Sequence, residues 1–147
     1  MKLIVAVDSE NGIAKDGTIP WKDKSDLGFF KTMTYGSTVV MGRKTYDEIG
    51  PLPGRKSIVI TSKDSDDGQF VTIGMYRSFS RLYDTTNHFV IGGEKTYNSL
   101  LDLVDTVFIT KINGDWECDK FFYLPMEFKK VSGFRLDTGS LVERYER

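Results

Sequence analysis

The chain is punctuated by short apolar runs that do not alternate with polar residues: 3–7 (Leu-Ile-Val-Ala-Val), 38–41 (Thr-Val-Val-Met), 58–60 (Ile-Val-Ile) and 89–91 (Phe-Val-Ile). A run this short and this uniformly apolar is a strand buried on both faces. Further strands are expected at 70–73 and 106–112. Segments with helical spacing separate the runs, and this alternation calls for an α/β fold: a mostly parallel central sheet with flanking helices on both faces. The end of the chain reads differently. Residues 128–131, 133–136 and 141–145 form alternating stretches around a turn near Thr138-Gly139, which predicts a C-terminal antiparallel hairpin at the sheet edge. The chain has 147 residues and no repeat, low-complexity tract or linker, so residues 1–147 are expected to form a single domain.

Between the first two runs, Ser25 can cap a helix reaching residue 34. Asp26, Phe29, Phe30 and Met33 fall on one face of that helix. A carboxylate among aromatic residues must be hydrogen-bonded, paired or used. A solvated first-turn acid, favoured by the helix dipole, is the commoner outcome and stays open from the pattern alone. The loop at 8–18 carries the turn signals Asn11-Gly12 and Asp16-Gly17 and is expected to be mobile. Helices are expected at 43–49, at 78–84 with Phe79, Leu82 and Tyr83 inward, and at 94–102 with Tyr97, Leu100 and Leu101 inward. A stiff turn is expected at 50–54 and an acidic surface loop at 63–68.

Composition removes several function classes. Lys and Arg total 20 against 21 Asp and Glu, a net charge of -1, so nothing general points to nucleic acid or an anionic membrane. One cysteine, Cys118, and one histidine, His88, leave no internal disulfide, no zinc site and no Ser/His/Asp set, and no metal is expected. His88, at a strand start, is expected to be structural. No run reaches transmembrane length, and the first apolar run begins at Leu3 with no room for a signal peptide before it, so a cytoplasmic protein is expected.

Two strand ends carry glycine followed by a helix start. At Gly42-Arg43-Lys44-Thr45, two cations, a hydroxyl and helix N–H groups converge where an anion could sit. A basic surface loop is the equal alternative. At Gly92-Gly93-Glu94-Lys95-Thr96, the glycines permit close backbone approach, or simply make a strand-to-helix turn. Ser62 could add a hydroxyl. Ligands of open parallel sheets bind beyond the carboxyl ends of the strands, so two such sites suit an extended ligand with several phosphates. The Rossmann and P-loop fingerprints are both absent.

The ordered set Asn11-Gly12-Ile13, Ile19-Pro20-Trp21, Asp26-Leu27-x-x-Phe30, Val40-Met41-Gly42-Arg43-x-Thr45, Pro53-Gly54-Arg55 and Ile91-Gly92-Gly93 closely resembles the dihydrofolate reductases, from Leu3 to about Phe122. The resemblance implies reduction of 7,8-dihydrofolate to tetrahydrofolate with NADPH as cofactor, in support of one-carbon metabolism and thymidylate synthesis. It implies a catalytic group of Asp26, Trp21 and Ile19. Asp26 would bond the pterin 2-amino group and N3, Trp21 would hold a water, and Ile19 would close over the nicotinamide. Ala6, Leu27, Phe30, Ile49 and Leu52 would wall the substrate, Arg55 would take the carboxylate of its glutamate tail, and Thr110 would support Asp26. Gly42, Arg43, Lys44, Thr45 and Ser62 would serve the adenosine phosphates, and Gly92, Gly93, Glu94, Lys95 and Thr96 the pyrophosphate. Ala6, Ile13 and Tyr97 would approach the nicotinamide. The partners implied are dihydrofolate and antifolate-type small molecules, with a monomer, no nucleic acid and no membrane.

Three positions depart from the family pattern. Ala14 stands where glycine is usual, Tyr46 where tryptophan is frequent, and Glu94 where a third glycine or alanine is common. Glu94 would place a negative charge near pyrophosphate and weaken cofactor binding. Two other readings compete: a fold relative acting on a pyrimidine intermediate of flavin biosynthesis, and a non-catalytic nucleotide- or folate-binding protein. Asp26 with Phe30 and Arg55 argues against both.

Overall fold

The structure, a computed structural model, describes residues 1–63, 65 and 68–147. Asp64, Asp66 and Asp67 of the expected acidic loop lie outside the described residues. The elements run β1 (Lys2–Val7), β2 (Gly12–Ala14), α1 (Lys24–Thr34), β3 (Thr38–Gly42), α2 (Arg43–Ile49), β4 (Lys56–Ile60), β5 (Phe70–Val71) and α3 (Ile73–Leu82). They continue with β6 (His88–Gly92), α4 (Glu94–Leu100), β7 (Thr106–Lys111), β8 (Lys120–Phe121), β9 (Lys129–Arg135) and β10 (Leu141–Glu146).

The main sheet has the order β5-β4-β3-β6-β1-β7-β10-β9. It is parallel from β5 to β7, and the β9–β10 hairpin continues it antiparallel, with Val142 opposite Thr110. The α/β architecture expected from the apolar runs is therefore the observed one. Side chains alternate across this sheet as strand geometry requires. Leu3, Val5, Val40, Val90, Val107 and Ile109 share one core with Tyr76 of α3 and with Tyr97 and Leu100 of α4. Ile4, Val39, Met41 and Phe89 form the other, against Phe29, Phe30 and Met33 of α1 and Tyr46 of α2. The α1 face thus packs inward as its spacing predicts. Phe29 meets Phe108 and Phe134 edge-on, with ring centroids 6.3 and 5.7 Å apart.

Several local expectations are corrected. Asp23, not Ser25, caps α1: its carboxylate accepts the Asp26 amide N–H, while Ser25 Oγ turns to Thr138. The strand at 70–73 stops at Val71, because Thr72 caps a helix that begins at Ile73 and ends at Leu82. That register buries Tyr76. Leu82 lies six residues on, about 240° further around at 100° per residue, and is 77% exposed. Tyr83 ends the helix in extended conformation and stacks on Phe79 at the surface, 4.7 Å between centroids. The helix expected at 94–102 closes at Leu100 and tightens into a 3₁₀ turn at Leu101–Leu103. The loop at 8–18 contains β2, which pairs antiparallel with β8.

Candidate active site

The parallel register brings the carboxyl ends of β1, β7, β6, β3 and β4 to one edge of the sheet. On β1 and β7, Ala6 stands directly opposite Thr110. By strand alternation both share a face with Ile4 and Phe108, the face covered by α1. Asp26, in the first turn of α1, reaches across this gap and is hydrogen-bonded by the Thr110 side chain. Burial pushes the Asp26 carboxyl above the ordinary carboxylate range. The Thr110 bond opposes the rise, and the neighbouring Asp23 charge adds to it. Asp26 is thus a half-buried carboxylate held by one hydroxyl, with the rest of its hydrogen-bonding capacity open to a ligand.

The far end of α1 holds the opposite charge. Thr34, buried in the last turn, gives its hydroxyl proton to Phe30 O at 2.7 Å and accepts Arg55 Nη1–H at 3.1 Å. Arg55 Nε donates to Pro53 O at 3.0 Å. The turn before Arg55 is fixed to the helix end: Gly36 N–H donates to Gly54 O at 2.9 Å, and the Tyr35 ring lies against Gly54, whose φ of +76° suits glycine. These bonds hold the guanidinium at a groove of about 550 Å³ that Arg55 lines with Ser37, Lys56 and Asn87. No carboxylate pairs with Arg55 among the described residues. Eight residues separate Asp26 from Thr34, about 12 Å of helix at 1.5 Å per residue. An elongated ligand with donor groups at one end and a carboxylate at the other matches that span.

Apolar side chains border the span. Phe30 and Leu52 pack on the same core cluster. Leu27, Ile19 and Ile49 are 62%, 59% and 42% exposed. Trp21 is buried and meets Trp116 edge-on at 6.2 Å.

On the other half of the edge, Met41 of β3 pairs with Gly92 of β6, so the two glycine-led helix starts are neighbours. They are packed closely: a Cβ on Gly42 would come within 2.7 Å of Thr96 Oγ1. A Cβ on Gly92 or Gly93 would stand 3.6 or 3.4 Å from Thr45 Oγ1. The Gly92–Gly93 peptide is cis. Neither α2 nor α4 has a side-chain cap, whereas Asp23 and Thr72 cap α1 and α3. Two uncapped helix starts facing one place, with Lys44 exposed beside them, suit phosphate oxygens. Arg43 is partly engaged elsewhere, paired with Asp47 at 3.0 Å and lying over Phe70 at 5.1 Å. Lys95 and Ser62 are exposed, and Ile13 is buried. Tyr97 is buried too, its hydroxyl donating to Ile4 O at 2.8 Å. Glu94 Oε2 accepts the Phe121 amide N–H at 2.8 Å, which ties β8 to α4.

Sequence reasoning missed one organising residue. Asp8, at the end of β1, is buried and accepts the amide N–H groups of Gly12 at 2.8 Å, Glu10 at 2.9 Å and Trp116 at 2.9 Å. The Cys118 thiol adds a contact at 3.6 Å. Burial alone would raise the Asp8 carboxyl, but these donors hold it below the ordinary value. Asp8 therefore joins the loop at 8–18 to the segment that supports Trp21. The pattern Asp-x-Glu-Asn-Gly carried the signal, since aspartate bonds its own backbone two residues on in an Asx turn.

Comparisons with known proteins agree with this arrangement. The family model described as dihydrofolate reductase matches residues 1–137. The chain is 38% identical over 127 residues to the dihydrofolate reductase of Bacillus subtilis (strain 168), covering 83% of this chain and 74% of that one. It is 36% identical over 124 residues to the dihydrofolate reductase of Staphylococcus aureus (strain Mu50 / ATCC 700699), covering 83% and 77%. A solved structure of dihydrofolate reductase from Enterococcus faecalis, complexed with NADP(H) and RAB-propyl, superposes with a TM-score of 0.82 at 30% identity, over 99% of this chain and 95% of that one.

Proposed function

This chain belongs to the dihydrofolate reductase family, and from that premise we infer that it reduces 7,8-dihydrofolate to 5,6,7,8-tetrahydrofolate with NADPH. The observation that carries the residue assignment is Asp26 hydrogen-bonded to Thr110 beside Ala6, one helix length from the unpaired guanidinium of Arg55.

Asp26 binds the pterin 2-amino group and N3, and Thr110 holds its carboxylate in place. Leu27, Phe30, Ile49 and Leu52 enclose the rings with Ala6, and Arg55 takes the tail carboxylate as a fork. The uncapped starts of α2 and α4 suit the cofactor phosphates, with Gly42, Thr45, Gly92, Gly93 and Thr96 nearest and Arg43, Lys44, Ser62 and Lys95 around them. Ile13 and Tyr97 stand on the nicotinamide side with Ala6, and Ile19 closes over it. When bound, NADPH supplies the hydride received at pterin C6. The protein contributes alignment, exclusion of water and one charge. Burial keeps the proton affinity of Asp26 high, while bonds from the pterin donors favour its anion. Asp26 thereby orients the ring, and the N5 proton comes from solvent at the edge guarded by Trp21. Antifolate-type molecules that offer the same donors to Asp26 are expected to compete. A cytoplasmic monomer is proposed as well.

Asp26→Asn tests the assignment. Turnover at neutral pH is expected to fall roughly a hundredfold or more, with an unchanged circular dichroism spectrum. Equal activity in the variant and the parent would contradict the role given to Asp26.

A further inference from the structure

The C-terminal hairpin meets the first turn of α1 through a single cluster. Asp23 Oδ1 accepts the Asp26 amide N–H at 3.0 Å and the Thr138 hydroxyl at 2.7 Å, and Oδ2 accepts the Ser140 hydroxyl at 2.5 Å. Ser25 Oγ donates to Thr138 Oγ1 at 2.8 Å and accepts the Thr138 amide N–H at 3.0 Å. A helix cap needs only one acceptor, which serine or asparagine supplies without charge. Here a carboxylate is used, and both of its oxygens are bound by donors from the β9–β10 turn. Those donors stabilise the anion.

We propose that Asp23 is a positioning residue for the reaction: clamped by the hairpin turn, it fixes the first turn of α1 and holds a negative charge beside the Asp26 carboxylate. The inference rests on the role of Asp26 given above. Every group facing Asp26 is consistent with it. Asp23 faces it from the cap, the Thr110 hydroxyl from β7, and the Tyr97 phenol from α4, whose ionisation burial and the Asp26 charge both oppose. Lys22, Lys24 and, in the hairpin turn, Asp137 are exposed around the cluster. The two acids are driven apart by their surroundings. Burial acts to raise Asp23, but its hydrogen bonds hold it below the ordinary value, whereas Asp26 is raised. Such a separation is how paired carboxyls take different duties. Burial is the main cause of the raised Asp26 carboxyl, and the fixed charge adds to it, so the hairpin, remote from Asp26 in sequence, contributes to the pH dependence of the reaction.

The test compares the parent with Asp23→Asn and Asp23→Ser, which keep a capping acceptor and lose the charge, and with Asp26→Asn. Thr72→Ala, which uncaps α3, is the control for general destabilisation. The readouts are the pH profile of hydride transfer and the titration of the Asp26 carboxyl carbon by NMR. Both Asp23 variants are expected to move the Asp26 midpoint and the kinetic limb to lower pH, because the anion no longer faces a like charge. Thr72→Ala is expected to lower the melting temperature without moving either. If Asp26→Asn removes the kinetic limb while the folded Asp23 variants leave the midpoint in place, the inference falls and the role of Asp26 stands. If Asp26→Asn keeps the parental limb, both fall.

Discussion

In the proposed site Asp26 and Arg55 divide recognition between them, and each has a different consequence when changed. Arg55 offers a planar fork already oriented by Thr34 Oγ1 and Pro53 O. Lysine keeps the charge and loses the fork. Arg55→Lys is therefore expected to raise KM for dihydrofolate about tenfold, the equivalent of one charge-assisted bond, with kcat little changed; an unchanged KM would remove Arg55 from the site. His88 makes the opposite kind of contribution. Its Nδ1 lies 2.7 Å from the Tyr76 hydroxyl, buried beside Phe79, and burial holds its proton affinity below the ordinary value of 6.5. The folded state binds fewer protons there than the unfolded chain, so this contribution is complete above pH 6.5 and is lost as pH falls from there through the lower folded value. The melting temperature should drop over that window, and the drop should shrink in His88→Gln; identical slopes would refute it. At this scale the inward face around Asp26 was legible, because Phe29, Phe30 and Met33 share its helical spacing, whereas the role proposed for Asp26 came from the family resemblance and not from the pattern. Asp8 showed only its local Asx turn, and the ties of Asp8 and Asp23 to Trp116, Cys118, Thr138 and Ser140 were not legible, since these partners lie more than a hundred residues away.

Among the elements, the short apolar strands were legible because burial on both faces makes them continuous runs, and the inward face of α1 because burial imposes its period, although its cap fell at Asp23 and not Ser25. The short elements depended on pairing that sequence does not display. β2 and β8 have three and two residues, and only their mutual pairing and the Glu94 anchor on Phe121 define them. The start of α3 was hidden by Gly74, a weak helix former directly after the first helical residue. Glu94 shows how an anchor changes an expectation. Sequence suggested repulsion of pyrophosphate, but its Oε2 is committed to the Phe121 amide. Glu94→Ala is expected to lower stability by about 1 kcal/mol, the usual worth of such a bond, and not to improve KM for NADPH. Denaturant midpoints and cofactor titration would check this. Tighter NADPH binding in the variant would restore the repulsive reading.

For the whole molecule, the sheet order puts the two proposed recognition surfaces on one edge. α1 and β7 frame the end proposed for the pterin, while α2 and α4 start side by side where the cofactor phosphates are proposed. The hairpin closes the arrangement by pairing β10 with β7 along the strand that carries Thr110, and its turn reaches the cap of α1. The parallel core and the terminal hairpin were legible from apolar runs and alternation. The insertion of β6 between β3 and β1 was not, because strand order depends on crossovers that leave no mark in local pattern. The central claim is that these two surfaces together perform one hydride transfer. Mixing the purified protein with NADPH and dihydrofolate and following the loss of NADPH absorbance tests it most directly. Steady loss that requires both compounds and is nearly abolished in Asp26→Asn is the predicted result; folded protein giving no loss above background would contradict the account.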